Sequence, residues 1–400
     1  LNDRTSNTFQ TTRELFLDAV RQQIVSDVPV GTCLSGGIDS SSVVCAMKKI
    51  CSEDAILRKQ EEQKIKSFSA IFPHNPIDES EYISAVCDAT GAENSTIEPI
   101  ATEFWYDLPT LVTCQEEPFI SSSVYAQWRV MKHAKANGVT VMLDGQGGDE
   151  LLGGYVLYYL YYFMTLMKQK RFHRFLLEWL LSRDLTKDLA RSFIMTYVPR
   201  VIAYTKSLIM KIIKRNVTSS ASSRWSYDKA WLSAASLSDL AGKLEIDTTV
   251  ESLPALLRYE DKNSMWHGIE ARVPFLHRPF FEYVASLPLE RKIRNGWTKY
   301  DFRLAMKGIV PEKIRIRRSK VGFEVPQKRW FENELRQQLK DFFSNPNLKA
   351  TAYFSAQAAR NILGKHTLAK LETTLIWRML NLELWYQEFF SEGNLARNQL

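Results

Sequence analysis

Several features that would simplify the reading of a chain this size are missing. The five cysteines (Cys33, Cys45, Cys51, Cys87 and Cys114) are odd in number, contain no Cys-x-x-Cys pair and all fall in the first third of the chain. That argues against a disulfide framework and a zinc ribbon, and for reduced thiols in a cytoplasmic protein. The six histidines show no His-x-His or His-x-x-x-His spacing, which speaks against a transition-metal site. The longest uncharged apolar stretch runs only from Tyr155 to Met167 and is crowded with tyrosine, short of the roughly 20 residues a membrane span needs. Residue 1 is leucine with no basic-then-apolar segment behind it, so the start reads as a cut inside a longer chain rather than a targeting signal. Internal repeats and low-complexity tracts are also lacking.

What is present is 400 residues with 45% hydrophobic content, enough to bury one large core or two smaller ones in a multi-layer enzyme. The formal charge of +7 suits either nucleic acid or a polyanionic small molecule, and charge alone does not choose between them.

Apolar and polar residues alternate with two periods. Thr11-x-x-Glu14 has the form of a capping box, and Phe16, Val20 and Ile24 recur at helical spacing, which predicts a helix from about Thr12 to about Ser26. A strand over Val30–Leu34, a loop with Gly36 and Gly37, and a helix from Ser40 to about Ile50 follow. Further strands are expected over Lys66–Phe72, Ser95–Ile97 and Val139–Leu143, with helices between them that include Ser80–Ala89 and Tyr125–Ala136. Strands alternating with helices predict an α/β fold, a mostly parallel sheet with helices on both faces. From Tyr155 to about Lys243 aromatic runs broken by basic residues suggest a helical insert, with a loose tip at Thr218–Ser223. Beyond Val250 helices and ordered loops are expected. Residues 1–154 therefore read as an α/β part, 155–249 as the insert, and 250–400 as a helical part of the same domain.

The strongest local signal is Leu34-Ser35-Gly36-Gly37-Ile38-Asp39-Ser40-Ser41. Two glycines let the backbone turn its amides inward, the serines add hydroxyl donors, and the start of the next helix adds partial positive charge, which makes a phosphate nest. Gly31 and Gly36 have Walker-loop spacing, but Gly37 stands where that loop needs lysine, which disfavours γ-phosphoryl transfer by a P-loop mechanism. A plain glycine turn ending a strand would explain the two glycines but not Asp39 and three serines. A second loop, Asp144-Gly145-Gln146-Gly147-Gly148-Asp149-Glu150-Leu151-Leu152-Gly153-Gly154, follows another apolar strand and so belongs at the same sheet edge. Four acidic or amide side chains among five glycines are an unusual way to build a solvated turn.

Ser35–Ser41 resembles the PP-loop of the N-type ATP pyrophosphatases, which cleave ATP between the α- and β-phosphates. Two more stretches narrow the resemblance: Leu253-Pro254-x-x-Leu257-Arg258-Tyr259-Glu260-Asp261-Lys262-Asn263-Ser264-Met265 running on to Gly268-Ile269-Glu270-Ala271-Arg272-Val273-Pro274-Phe275-Leu276, and Asn295–Tyr300 with Arg317-Arg318-Ser319-Lys320-Val321-Gly322-Phe323. With the second loop, these resemble the asparagine synthetase family along nearly the whole chain except the insert. The resemblance implies an ATP-dependent ligase that adenylates a carboxylate, most simply aspartate, and amidates it with ammonia. By resemblance Asp39 and Asp149 hold Mg²⁺, Lys320 stabilises charge at the α-phosphate, and Leu34, Ser35, Gly36, Gly37, Asp39, Ser40, Ser41, Ala70, Asp144 and Gly145 hold ATP. Glu150, Gln146 and Arg318 are further catalytic candidates. Arg272, Lys299, Arg303 and Arg318 are basic residues in the matching segments, any of which can meet phosphate or substrate carboxylate. A glutaminase domain upstream of Leu1 is expected to supply the ammonia, and a homodimer is the assembly to test. No nucleic-acid or membrane partner is expected; the basic run Lys313–Lys320 carries no interleaved aromatics for stacking.

Two residues depart from the family pattern. Gln146 stands where a glutamate is usual, and an amide cannot take up a proton. His277 follows Pro274-Phe275-Leu276 where an aspartate is usual, removing an acid expected on the substrate side. Both bear on the acceptor more than on adenylation. A β-lactam synthetase would carry tyrosine at Gln146, a lasso-peptide-type cyclase would keep the adenylation chemistry, and a non-catalytic descendant of the fold is disfavoured by intact Asp39, Asp149 and Lys320.

Overall fold

The computed structural model describes residues 3–53, 64–182, 239–318 and 324–390. Five parallel strands, β1 (Val30–Cys33), β2 (Lys66–Ala70), β3 (Glu93–Ile97), β4 (Val141–Leu143) and β5 (Glu270–Arg272), lie in the order β3-β2-β1-β4-β5. The central strands are buried almost throughout, as a parallel sheet covered on both faces requires. The first four match the expected strands within a few residues. The fifth was not expected, because Glu-Ala-Arg offers neither length nor an apolar run.

Helices cover both faces. Before β4 these are α1 (Asp3–Gln23), α2 (Ile38–Glu53), α3 (Ser80–Thr90), α4 (Ala101–Gln115) and α5 (Ser123–Ala136). Val20, Val43, Met47 and Val86 from α1, α2 and α3 cover the face that carries Leu34 and Leu143. Val130, Met131 and Ala134 of α5 cover the opposite face, with Cys33, Phe68, Met142 and Ile269. Helix α1 begins well before the expected start, so the Thr11-x-x-Glu14 capping box does not cap; Thr12, in mid-helix, instead donates its hydroxyl to Thr8 O at 3.0 Å and to Asp301 Oδ2 at 2.7 Å. The pull on α1 is tertiary: Phe16 packs within 4.9–5.4 Å, ring to ring, of Phe275, Phe280 and Phe302.

Beyond β4 come α6 (Gly148–Leu152), α7 (Leu157–Lys168), α8 (Phe172–Leu181), α9 (Leu240–Thr249) and α10 (Leu253–Trp266), and after β5 follow α11 (Arg278–Ser286), α12 (Leu289–Lys292) and α13 (Tyr300–Ala305). Five more helices end the described chain at Phe390. Their residues Trp330, Phe343 and Trp377 share one core with Phe104 of α4 and Trp128 of α5, so both ends of the chain build common cores. In the insert region, α7, α8 and α9 are helical, while the Thr218–Ser223 tip lies outside the described residues. Among the described residues no helix is long and apolar enough to cross a membrane.

Helix α8 reaches the centre of the molecule through Glu178, which is wholly buried. Its carboxylate accepts from the Asn295 and Gly296 amides at 2.8 and 2.9 Å and pairs with Arg174 at 2.7 Å. Asn295 and Gly296 both have positive φ (53° and 75°), the kind of conformation in which neighbouring N–H groups converge on one anion. Replacing Glu178 by alanine leaves a largely buried arginine and two amides without their acceptor. The expected cost is about 3–5 kcal/mol, measured as a lower urea midpoint at unchanged m-value; a loss within experimental error would show that the clamp contributes nothing.

Candidate active site

Strands β1 and β4 are neighbours, with Thr32 opposite Leu143, and the chain leaves β1 towards one side of the sheet and β4 towards the other. Their carboxyl ends therefore form the switch point where open α/β sheets bind ligands. The Ser35–Gly37 loop leaves β1 there and the Asp144–Gly147 loop leaves β4. They interlock through close approach: a Cβ on Gly148 would fall 2.8 Å from the Asp39 carboxylate, and one on Gly154 would fall 2.0 Å from Asp149 Oδ1. The glycines of the second loop thus make room for the acids of both.

In the first loop, the Ser40 hydroxyl accepts from the Ser35 amide at 3.1 Å and meets the Ser35 hydroxyl at 3.0 Å. Helix α2 starts at Ile38 and puts Asp39 in its first turn, and the first amides of a helix lack intrahelical acceptors. Over this end lies a cavity of about 280 Å³ lined by Ser35, Gly37, Asp39 and Ser40 from the first loop and by Asp144, Gly145, Gln146 and Asp149 from the second. Arg303, Arg317, Arg318 and Lys299 close its other side.

Lys299 is the centre of the site. Its ammonium donates to Asp39 Oδ1 at 2.6 Å, contacts Asp39 Oδ2 as well, and lies 2.8 Å from Asp149 Oδ1. The residue is 3% exposed. Burial disfavours its charge, but Asp149 and Asp39 outweigh burial and raise its pKa above that of an ordinary lysine. The sequence marks Lys299 only as one of several basic candidates; its partners Asp39, 260 positions away, and Asp149 are too remote to leave a local signal.

The same two carboxylates suit Mg²⁺. Among the described residues no group of three or more His, Cys, Asp or Glu side chains forms a metal cage, but Mg²⁺ needs no such cage. It is commonly held by one or two carboxylates, with substrate phosphates and water completing the octahedron. Asp39 and Asp149, from separate loops, already converge on one cation.

Three arginines supply the remaining positive charge. Arg303 is buried and gives its guanidinium to Thr298 O and Arg315 O at 2.8 and 2.6 Å. No carboxylate among the described residues is in ion-pair contact with it, and burial brings its pKa down to about 10, so it stays charged at neutral pH. Trp297 lies against two guanidiniums, 5.4 Å from Arg303 and 4.3 Å from Arg318. Arg317 pairs with Glu79 at 2.7 Å, stacks on Tyr82 at 3.8 Å and reaches Gly36 O at 3.3 Å, which ties the first loop down. Neither Arg317 nor Trp297 stands out in the sequence, because their partners are remote.

Other predicted residues lie outside the cavity lining. Leu34 is buried; its amide donates to Phe68 O and its carbonyl accepts from the Ser69 hydroxyl, so its backbone fastens β1 to β2. Gly36, Ser41 and Ala70 are likewise not lining residues. Glu150 is 1% exposed and accepts from Tyr155 and Ser252 at 2.6 and 2.8 Å, so it braces the second loop instead of facing the cavity. His277 bonds Gln22 at 3.1 Å away from the lining, which removes the expected link between this departure and the substrate side. Arg272 donates to Gln23 O and Val25 O at 2.6 and 2.8 Å, capping α1 rather than meeting substrate. Lys320 falls outside the described residues.

Beneath Gln146 lies an acid that sequence inspection does not single out. Glu260, on α10, is buried against Asp144, Gln127 and Gln146, with neither oxygen in hydrogen-bond geometry. Burial first, and then the charge of Asp144, push its carboxyl well above the usual carboxylate range. The Cys33 thiol, which reaches the cavity, is raised by burial and by the same two acids. Glu260 lies within a quoted motif, but only its burial distinguishes it from its neighbours.

Comparison with known proteins bears on this arrangement. The family model described as Asparagine synthase matches residues 11–387. Asparagine synthetase [glutamine-hydrolyzing] 1 of Bacillus subtilis is 28% identical over 389 residues, covering 94% of this chain and 58% of its own length. A putative asparagine synthetase [glutamine-hydrolyzing] of Mycobacterium bovis is 27% identical over 399 residues, covering 97% of this chain and 59% of its own. More distantly, Amidase chry2 of Gibberella zeae is 23% identical over 402 residues, covering 88% of this chain and 57% of its own. The chain thus spans under two thirds of the length of these relatives.

The raised pKa of Glu260 has a consequence for stability. Between its unfolded value, about 4.3, and its folded one, the native state holds a proton that the unfolded chain has lost. Stability therefore falls as pH rises through that window. In Glu260→Gln that part of the slope should vanish and the melting temperature at neutral pH should rise, as followed by circular dichroism from pH 4 upward. Parallel profiles for the two proteins would show that Glu260 is not held neutral.

Proposed function

The chain belongs to the asparagine synthase family, and on that premise we propose that it is an ATP-dependent amide ligase. A substrate carboxylate oxygen attacks the α-phosphorus of ATP, the bond to the β-phosphate bridging oxygen breaks, and pyrophosphate leaves with that electron pair. Ammonia then attacks the acyl adenylate, AMP departs and the nitrogen loses a proton. A carboxylate needs this activation because its own leaving group would be oxide.

The observation that carries the reading is the convergence of Asp39, Asp149 and Lys299 at the switch point of the sheet, beside a cavity bordered by three arginines. The α2 amino end with Ser35 and Ser40 suits phosphate oxygens, and Arg303 and Arg318 neutralise the charge that grows on the leaving pyrophosphate, while Arg317, paired with Glu79, holds the first loop. Asp39 and Asp149 would hold Mg²⁺, which when bound would neutralise charge on the phosphates. Lys320 is assigned to the α-phosphate by family resemblance, where an ammonium strengthens as charge develops.

Aspartate is the leading acceptor and glutamine the leading source of ammonia, in keeping with the names of the more similar relatives. Gln146, which lines the cavity next to the buried Glu260, favours a second reading in which the acceptor is a different carboxylate, since an amide at this position cannot carry the ammonia proton. The test is pyrophosphate release from MgATP with saturating ammonium across a panel of carboxylates, aspartate first. Carboxylate-dependent release is expected, and Lys320→Ala should slow it about 10²–10³-fold, the usual effect of losing one transition-state donor. Release that survives the substitution removes Lys320 from this role, and absence of amide with every carboxylate overturns the ligase reading.

A further inference from the structure

We propose that Lys299 is the resident counter-ion of the metal position, so that divalent cation enters the empty protein poorly and binds well only when phosphates draw the ammonium away. The inference rests on the assignment of Asp39 and Asp149 as Mg²⁺ ligands and adds how that position is governed.

Three observations carry it. The ammonium touches both carboxylates, one from each loop, in a position 3% exposed. Its approach is built in: a Cβ on Gly154 would lie 2.2 Å from Lys299 Cε and 2.0 Å from Asp149 Oδ1, so the stem and the carboxylate run past a residue that has to lack a side chain. Lys299 itself takes a left-handed backbone conformation, φ 53°, just before α13, an uncommon choice for lysine that aims the stem back at the two loops.

Charge balance supplies the consequence. Two carboxylates and one ammonium leave a net charge of −1, and Mg²⁺ requires close oxygen contacts in near-ideal octahedral geometry. The oxygens it would use are the ones already held by Lys299, and two cations on the same carboxylates repel. A polyphosphate changes this by offering the ammonium new oxygens beside the neighbouring arginines while bringing oxygens of its own for the metal. Metal and nucleotide then promote each other's binding, and the coupling is reciprocal.

Mn²⁺ serves as the probe, its free fraction read by electron paramagnetic resonance without nucleotide. Wild-type protein should bind it weakly, while Lys299→Met and Lys299→Gln should bind it at least tenfold more tightly, with the gain lost on adding Asp39→Asn. Because removal of the ammonium leaves two half-buried carboxylates facing each other, Mn²⁺ should also raise the melting temperature of both variants more than that of wild type. If both variants fold yet neither gains Mn²⁺ affinity nor a Mn²⁺-dependent melting shift, the counter-ion role is wrong. The ligand assignment is tested separately by MnATP binding to Asp39→Asn. Weakened binding there leaves the metal assignment standing whatever Lys299 does, and unchanged binding overturns both.

Discussion

Two carboxylates closed around one ammonium set the terms for the rest of this molecule. Asp39, Asp149 and Lys299 come from three segments, the first turn of α2, the first turn of α6 and the stretch before α13. Burying such charges carries a large desolvation cost that only tight mutual contact offsets. Tight contact in turn demands small residues, and Gly148 and Gly154 supply the space. The glycine-rich character of the second loop is thus largely a requirement of the acids that it surrounds.

Around that centre the structure adds braces that lie outside the cavity lining. Glu178 gathers two amides of the Asn295–Gly296 turn, Glu150 joins Tyr155 to Ser252, and Arg272 closes the end of α1. Lys292 donates to Leu151 O at 2.8 Å, binding the end of α6 to the stretch that leads to Lys299; burial lowers its pKa to about 8. Glu178, Arg272 and Lys292 satisfy backbone groups that helix and turn ends leave open, while Glu150 takes two side-chain hydroxyls.

The parts that were legible in the sequence are local. A strand, glycine loop and helix in succession carry their own turn chemistry, which places Ser35–Ser41 and Asp144–Glu150 at one sheet edge. The parts that were not legible depend on distant partners. A three-residue strand, Glu270–Arg272, exists because β4 has an open edge beside it. Helix α1 begins upstream of Thr11 and Glu14, and its Phe16 packs on Phe275, Phe280 and Phe302, partners no local pattern reveals. Glu150 is a catalytic candidate in the sequence, yet Tyr155 and Ser252 turn it into a brace. Lys299 and Glu260 acquire their character from what surrounds them, and side-chain type alone does not reveal it.

The first helix has a further implication for synthesis on the ribosome. Thr12 bonds Asp301 and Phe16 packs on Phe302, so the partners of α1 leave the exit tunnel nearly 300 residues after α1 itself. At about 5–20 residues per second, α1 waits on the order of 15–60 s for Phe275, Phe280 and Phe302, the partners of Phe16, although α2 is available to it much sooner. The chain therefore completes this core late, from both ends at once. During that interval Phe16, Val20 and Ile24 are a natural handle for whatever shields nascent chains.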